Sequence, residues 1–265
     1  MLVISIQSQV VHGHVGNSAA VYPMQAHGIT VAAVPTTLLS NHPRYPTVHG
    51  RVLDAGMVAE LLLGVEERGL IQQAKVLLTG YLGSPAVAAV VADFVERAKR
   101  LNPDLIYLCD PVMGDDDSGL FVAAELPPLF RERLIPQASV ITPNQFELAH
   151  VAGHPLRDMD RLLAAASSLA QSGSPAVLVT GCTLTDTAAG RIETILCDPN
   201  APKRIGTPRL PIRPCGTGDL LAGLVSAHLA RGLDLAAAAE QAVAEVFSVL
   251  QRTQEAGTEE MQLIG

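Results

Sequence analysis

Tryptophan is missing, and four tyrosines and five phenylalanines are the only aromatics among 265 residues, so a tyrosine in a conspicuous place carries weight. Positive charge is also short. Eighteen Lys and Arg against 26 Asp and Glu leave a net charge of −8, which argues against a general nucleic-acid binder. A nucleotide is not excluded, because its phosphates need only a local cluster of donors. No apolar run reaches membrane-spanning length, and Met1-Leu2-Val3-Ile4 lacks the basic flank of a signal peptide, so a cytoplasmic protein with no membrane partner is expected. The four cysteines, Cys109, Cys182, Cys197 and Cys215, form no Cys-x-x-Cys pair; reduced, mostly packed thiols are expected rather than a metal site or disulfides. Two familiar phosphate loops are lacking as well. Gly218 and Gly223 have P-loop spacing, but Leu224 stands where the lysine belongs, and no Gly-x-Gly-x-x-Gly follows a strand.

What is present is apolar material in a regular rhythm. Hydrophobic residues make up 48% of the chain and the mean hydropathy is +0.29, enough for a sizeable core. Short apolar strands are predicted at 2–6, 30–34, 75–79, 105–109, 138–142 and 176–180. Helices are predicted to begin at Asn17, Asp54, Ser84, Asn144, Asp158, Gly218 and Asp234, nearly all good capping residues, and to stop near Gly69, Gly153 and Gly173. Alternating strands and helices imply a largely parallel sheet covered on both faces. Two regions break the rhythm: a polar, turn-rich flap at 35–50, and a pair of strands at 191–197 and 204–212 joined by Asp198-Pro199-Asn200. With no repeat or linker, residues 1–265 read as a single α/β domain.

The most informative stretch is Pro214-Cys215-Gly216-Thr217-Gly218-Asp219, which opens a helix with an apolar face at Leu220, Leu221, Leu224, Val225 and Leu229. Glycines at a helix mouth leave backbone N–H groups free to meet an anion, and the helix dipole favours negative charge there. Asp219 is itself an anion in that place. A carboxylate beside a phosphate cradle is wasteful unless it moves a proton, so Asp219 reads as a base that activates a hydroxyl next to a γ-phosphate. The competing reading is an ordinary loop with a favourable acid in the first helical turn.

Ligands of open α/β sheets gather at the carboxyl ends of the strands. There the sequence places Ser8, Gly80-Tyr81, Asp110-Pro111, Thr142-Pro143-Asn144 and Thr180-Gly181, polar or glycine residues closing five strands on one edge. With the Asp219 helix they define a candidate ligand site.

Taken together, Ser5-Ile6-Gln7-Ser8, Gly13-His14-Val15-Gly16-Asn17, Ser40-Asn41-His42, Thr79-Gly80-Tyr81, Asp110-Pro111-Val112-Met113-Gly114, Thr142-Pro143-Asn144-Gln145-Phe146-Glu147 and Gly216-Thr217-Gly218-Asp219 make the chain resemble the pyridoxal kinases of the ribokinase-like superfamily. The motifs follow family order over nearly the whole length. The resemblance implies a ribokinase-like three-layer sandwich, a mostly parallel sheet with helices on both faces and a small flap. It implies ATP-dependent phosphorylation of the 5′-hydroxymethyl group of pyridoxal and its alcohol and amine analogues, with Asp219 as base and an anion hole at Gly216, Thr217 and Gly218. Ser8, Val10, Val15, His42 and Tyr81 match the substrate slot. Asp110, Asp115, Asn144, Glu147, Thr180, Gly181 and Thr217 match the ATP side. Asp110 and Glu147 match positions that organise Mg²⁺, directly or through water, and Asp110 with Thr142 those that hold a monovalent cation, K⁺ in the first instance. A homodimer is implied too.

Local readings compete at several of these positions: Asp110-Pro111 as a strand-end turn, Glu147 as a first-turn acid, Asn144 as a cap, Tyr81 as a core residue. Asp115-Asp116-Asp117 reads as a solvated loop near phosphate, since a calcium loop would need a later glycine and glutamate. His12 and His14 lack a third ligand at metal spacing and read as a loop over the substrate. One departure stands out: Pro43 follows Ser-Asn-His where many relatives carry threonine, removing a hydroxyl and an N–H, and Arg44 is placed to close over phosphate. Two rival functions remain, a hydroxymethylpyrimidine kinase of the same fold and a non-catalytic pyridoxal-binding protein. Tyr81 and Ser8 favour pyridoxal, and an intact Asp219 speaks against a mere binder.

Overall fold

The computed structural model describes residues 1–170, 176–198 and 201–264. The helix stop expected at Gly173 and the Pro199-Asn200 turn lie outside them. The strands are β1 (Leu2–Val10), β2 (Thr30–Leu39), β3 (Gly50–Val52), β4 (Ala74–Thr79), β5 (Ile106–Cys109), β6 (Gly114–Asp115), β7 (Gly119–Leu120), β8 (Val140–Ile141), β9 (Ala176–Cys182), β10 (Arg191–Cys197) and β11 (Lys203–Pro208). The helices are α1 (Asn17–Ala26), α2 (Ala55–Glu67), α3 (Leu70–Gln73), α4 (Pro85–Leu101), α5 (Leu126–Leu129), α6 (Gln145–Ala152), α7 (Met159–Ala170), α8 (Thr217–Ala230) and α9 (Leu235–Ala256). No helix among the described residues is long and apolar enough to cross a membrane.

Nine strands form one sheet in the order β11-β10-β9-β8-β5-β4-β1-β2-β3. The six from β9 to β2 run parallel, and antiparallel strands close both edges. Parallel strands need covered faces, and the pleat supplies them by sending alternate side chains to opposite sides. In β1, Leu2, Ile4 and Ile6 enter a core under α2, α4, α6 and α7, while Val3 enters a second core under α1, α8 and α9. Ile4, Ile6 and Leu77 are fully buried, each contributing about 1.5–3 kcal/mol by burial. This is the three-layer α/β architecture expected.

Local chemistry sets most helix starts. Asp54, Ser84, Asn144 and Asp234 accept from backbone N–H groups of their first turns, and Asp158 accepts from Arg161. Asn17 differs from expectation. Gly16 holds the cap position, and the Asn17 side chain instead donates to the Gln7 and Val34 carbonyls and accepts from Ser5, tying α1 to β1 and β2. β1 and β2 run four and five residues past their predicted ends, so only about 40–49 of the expected flap is irregular. The hairpin β6–β7 was not anticipated. Its Asp115 carboxylate accepts from the Asp117 and Ser118 N–H groups, a turn that leaves no hydrophobic period.

Candidate active site

Among helices of eight or more described residues, only α1 and α8 lack a side-chain cap, and both have glycine, Gly16 and Gly216, at the cap position. The first N–H groups of such helices have no intrahelical acceptor. Leu220 through Ala230 of α8 are all buried, so the helix is enclosed along its length and opens only at its mouth. Gly216 has φ +79°, and a Cβ there would fall on the His14 carbonyl oxygen, far inside contact distance. Both conditions require glycine. A Cβ on Gly16 would likewise collide with Ser8. The mouth of α8 therefore packs against the β1–α1 loop, and the mouth of α1 against β1.

Asp219 lies in the first turn of α8, partly exposed. Burial pushes its carboxyl up to about 6, while the Gly16 N–H that it accepts pulls the other way. Proton affinity of that order suits a group that must take a proton near neutral pH.

The other predicted positions arrange themselves in two wings. On one side Ser8 is buried at the end of β1 against Gly16, Val10 is buried two residues later, and Val15 is partly buried in the loop. Gly80 packs on the Gln7 side chain, which sets Tyr81 beside this strand end. The Tyr81 carbonyl accepts from Thr36 (2.7 Å), and its ring lies 6.5 Å from Phe121. His42 is buried under the flap. On the other side Asp110 and Thr142 are buried at neighbouring strand ends, with the Thr142 hydroxyl donating to Asp110 Oδ1 (3.1 Å). Burial, then the charges of Glu147 and Asp219, hold the Asp110 carboxyl well above the usual carboxylate range.

Glu147 proves to be both a cap and part of this acidic group. Its Oε2 accepts from the Asn144 N–H (2.9 Å), and its Oε1 from those of Met113 (2.8 Å) and Gly114 (3.4 Å). The Asn144 side chain caps the same turn and donates to the Gly114 carbonyl. Burial raises Glu147 to about 8 despite these three donors. Thr180 pairs with Asn144 in a parallel bridge, and Gly181 is exposed beside it. Asp115, in the small hairpin, faces Arg44 of the flap at 4.0 Å. Arg44 also donates to the Arg213 carbonyl (2.7 Å), and Arg213 pairs with Asp117. Cys215 is free and half-buried, its thiol pushed up mainly by burial.

One participant escaped the sequence reading. Glu260, in the segment after α9, accepts from His42 Nε2 (2.9 Å), the Tyr45 hydroxyl (2.8 Å) and the His14 N–H (3.1 Å). Its partners lie more than 200 residues away, and no local period marks it. His12 meets Tyr45 at 3.3 Å, while the His14 ring faces Glu260, with Nδ1 3.5 Å from the carboxylate. Among the described residues the one cluster with metal-ligand spacing is His27, His228 and Glu245, on the α1–α8–α9 face.

Comparison with known proteins gives the family. The family model described as phosphomethylpyrimidine kinase matches residues 13–263. A pyridoxal kinase of Rubrobacter xylanophilus is 42% identical over 99% of this chain and 91% of its own length. One from Leifsonia xyli is 39% identical over 100% and 93%. The structure of pyridoxal kinase from Leishmania donovani in complex with ADP and pyridoxamine superposes with a TM-score of 0.89 at 30% identity, covering 99% of this chain and 92% of that one. The chain belongs to the pyridoxal kinase family of ribokinase-like phosphotransferases.

Proposed function

We propose that this protein transfers the γ-phosphoryl group of ATP to the 5′-hydroxymethyl group of pyridoxal, and of pyridoxine and pyridoxamine, in vitamin B6 salvage. The observation that carries the reading is Asp219 in the mouth of an uncapped, buried helix, with a carboxyl pushed up to about 6. An alcohol is a poor nucleophile until its proton leaves. Asp219 takes that proton, the 5′-oxygen forms its bond to the γ-phosphorus, and the bond to the ADP oxygen breaks in line. The N–H groups of Gly216, Thr217 and Gly218 meet the charge on the equatorial oxygens. Ser8, Val10, Val15, His42 and Tyr81 hold the vitamer, Tyr81 offering a flat face with a polar tip. Asp115, Asn144, Thr180 and Gly181 belong to the ATP side.

The donor set at Asp110, Thr142 and Glu147 fits hard cations: oxygen ligands, buried, with the strongest charges acting on Asp110 both negative. Glu147 already engages three N–H groups, which favours a water between it and Mg²⁺; Asp110 and Thr142 suit K⁺. Bound there, Mg²⁺ neutralises charge on the phosphates. A homodimer, a cytoplasmic location and one kinase domain over residues 1–265 complete the reading, the last supported by the single sheet that spans the chain.

The family model carries a pyrimidine name and the relatives a pyridoxal name, so the test compares the two acceptors. Purified protein with Mg²⁺ and ATP is expected to phosphorylate pyridoxal with a higher kcat/KM than hydroxymethylpyrimidine. A pyrimidine preference would overturn the substrate assignment, and binding without ATP turnover would replace the kinase with a carrier.

A further inference from the structure

The segment that follows α9 returns to the mouth of α8. Gly257 ends the helix, and Met261, 1% exposed, drops into the core beside α8. That anchor sets the Glu260 carboxylate between two loops that also meet directly, through His12 and Tyr45 (3.3 Å) and through the His12 N–H and the Ser40 carbonyl (2.9 Å). One oxygen accepts from His42 and Tyr45 of the 40–49 flap, the other from the His14 N–H of the β1–α1 loop. The fit is close, because a Cβ on Gly13 would come within 2.8 Å of the carboxylate. Only 16% of the Glu260 side chain is exposed.

Glu260 can only accept, so His42 Nε2 carries a proton, and in the neutral ring Nδ1 is then an acceptor. Among the described residues His42 Nδ1 is buried with no hydrogen-bond partner, as are His14 Nδ1 and, away from the site, His228 Nδ1. Buried polar atoms without partners are uncommon, and one in a flap over a binding site points to a partner supplied by a ligand.

We propose that Glu260 is a positioning residue for the vitamer: it fastens the flap and the β1–α1 loop to the mouth of α8 and fixes the His42 tautomer, leaving Nδ1 to accept from the substrate. This rests on the kinase reading above. Preorganisation of this kind acts on binding of the vitamer, not on the phosphoryl transfer that Asp219 serves.

The test uses the full chain with Glu260→Gln and Tyr45→Phe, and with Glu245→Gln as a control, since Glu245 accepts from His27 and His228 in the same way but away from the site. Glu260→Gln should raise the vitamer KM about tenfold or more, while kcat and the KM for ATP stay within about threefold. Tyr45→Phe should move the vitamer KM in the same direction by less, and Glu245→Gln should leave it unchanged. Two readouts need no turnover. Amide exchange in residues 12–16 and 40–49 should quicken in Glu260→Gln, less in Tyr45→Phe and not in Glu245→Gln, and ¹⁵N spectra should show His42 losing its fixed Nε2–H tautomer in Glu260→Gln. An unchanged vitamer KM, or equal losses in kcat and in both KM values, would overturn the role. If the parent phosphorylates no vitamer, the kinase reading fails by itself, and the exchange and tautomer data still decide whether Glu260 is the fastening.

Discussion

The carboxylates on the two sides of the cleft live in opposite electrostatic worlds. On the floor, at the strand ends and the mouth of α8, Asp110, Glu147 and Asp219 are all raised, burial being the largest cause in each, and the charges that act on Asp110 are negative. On the roof, Glu260 also pays for burial, yet the hydrogen bonds from Tyr45, His42 and the His14 N–H bring it below its ordinary value. On the roof the protein balances the Glu260 carboxylate with its own groups. The floor gathers three carboxyls whose charged forms the protein alone does not balance; in the proposed function that balance comes from cations and from the proton taken from the substrate. Buried charge without a partner is costly, so its concentration where strands end marks the place where ligand binding returns energy.

The sharpest attack on that contrast is Asp219→Asn. Asparagine keeps an oxygen for the Gly16 N–H but takes no proton. kcat should fall by about 10²–10⁴, the usual worth of a positioned base, with the KM for ATP nearly unchanged. Equal turnover in mutant and parent would remove the floor's chemical purpose.

A second blow falls on Glu147. If its oxygens satisfied nothing, removing them would relieve the floor. Three backbone N–H groups depend on them, however. Glu147→Ala should therefore destabilise the protein by about 2–3 kcal/mol, because orphaned buried donors cost more than the charge they served. Denaturant melts check this, and a stabilised variant would mean that charge strain outweighs capping at this position.

Much of the floor could be read in advance because it is built from local rules. Caps at Asp54, Ser84, Asn144, Asp158 and Asp234 act over one turn, and the strand-end residues follow from where apolar runs stop. The Gly216–Asp219 turn announces itself through glycine and the apolar period behind it. In the roof the flap, His42 and the His12–His14 loop were legible, but the residue that joins them was not, for a matching reason. Glu260 meets His42 across 218 positions and His14 across 246, and a Thr-Glu-Glu-Met segment after a helix stop has no pattern pointing to either. The far reach of β1 and β2 was missed because Gln7, Ser8 and Gln9 break the apolar run while the backbone continues its ladder. Asn17 was misjudged as a cap because its side chain obeys a tertiary demand, the carbonyls of Gln7 and Val34, over the local one.

The contrast between floor and roof also has a sign that titration can read. A carboxyl raised in the folded state binds protons more readily there than in the unfolded chain, so its contribution to stability is favourable or neutral in acid and is lost as pH rises. For Asp219 that loss runs from its ordinary 3.8 to about 6. Asp219→Asn should consequently be more stable than the parent above pH 6, by on the order of 1 kcal/mol given partial solvent contact, and the gap should close below about pH 4. Glu260 is lowered from 4.5, so its contribution is present above that value and lost as pH falls through the folded pKa. Glu260→Gln should be less stable than the parent at pH 7 and should converge with it in acid. Melts of the three proteins without ligand, taken from pH 3.5 to 8, measure both gaps. Two gaps of the same sign at pH 7 would show that floor and roof are not opposites, and that the raised carboxyl of Asp219 is balanced in the free protein after all.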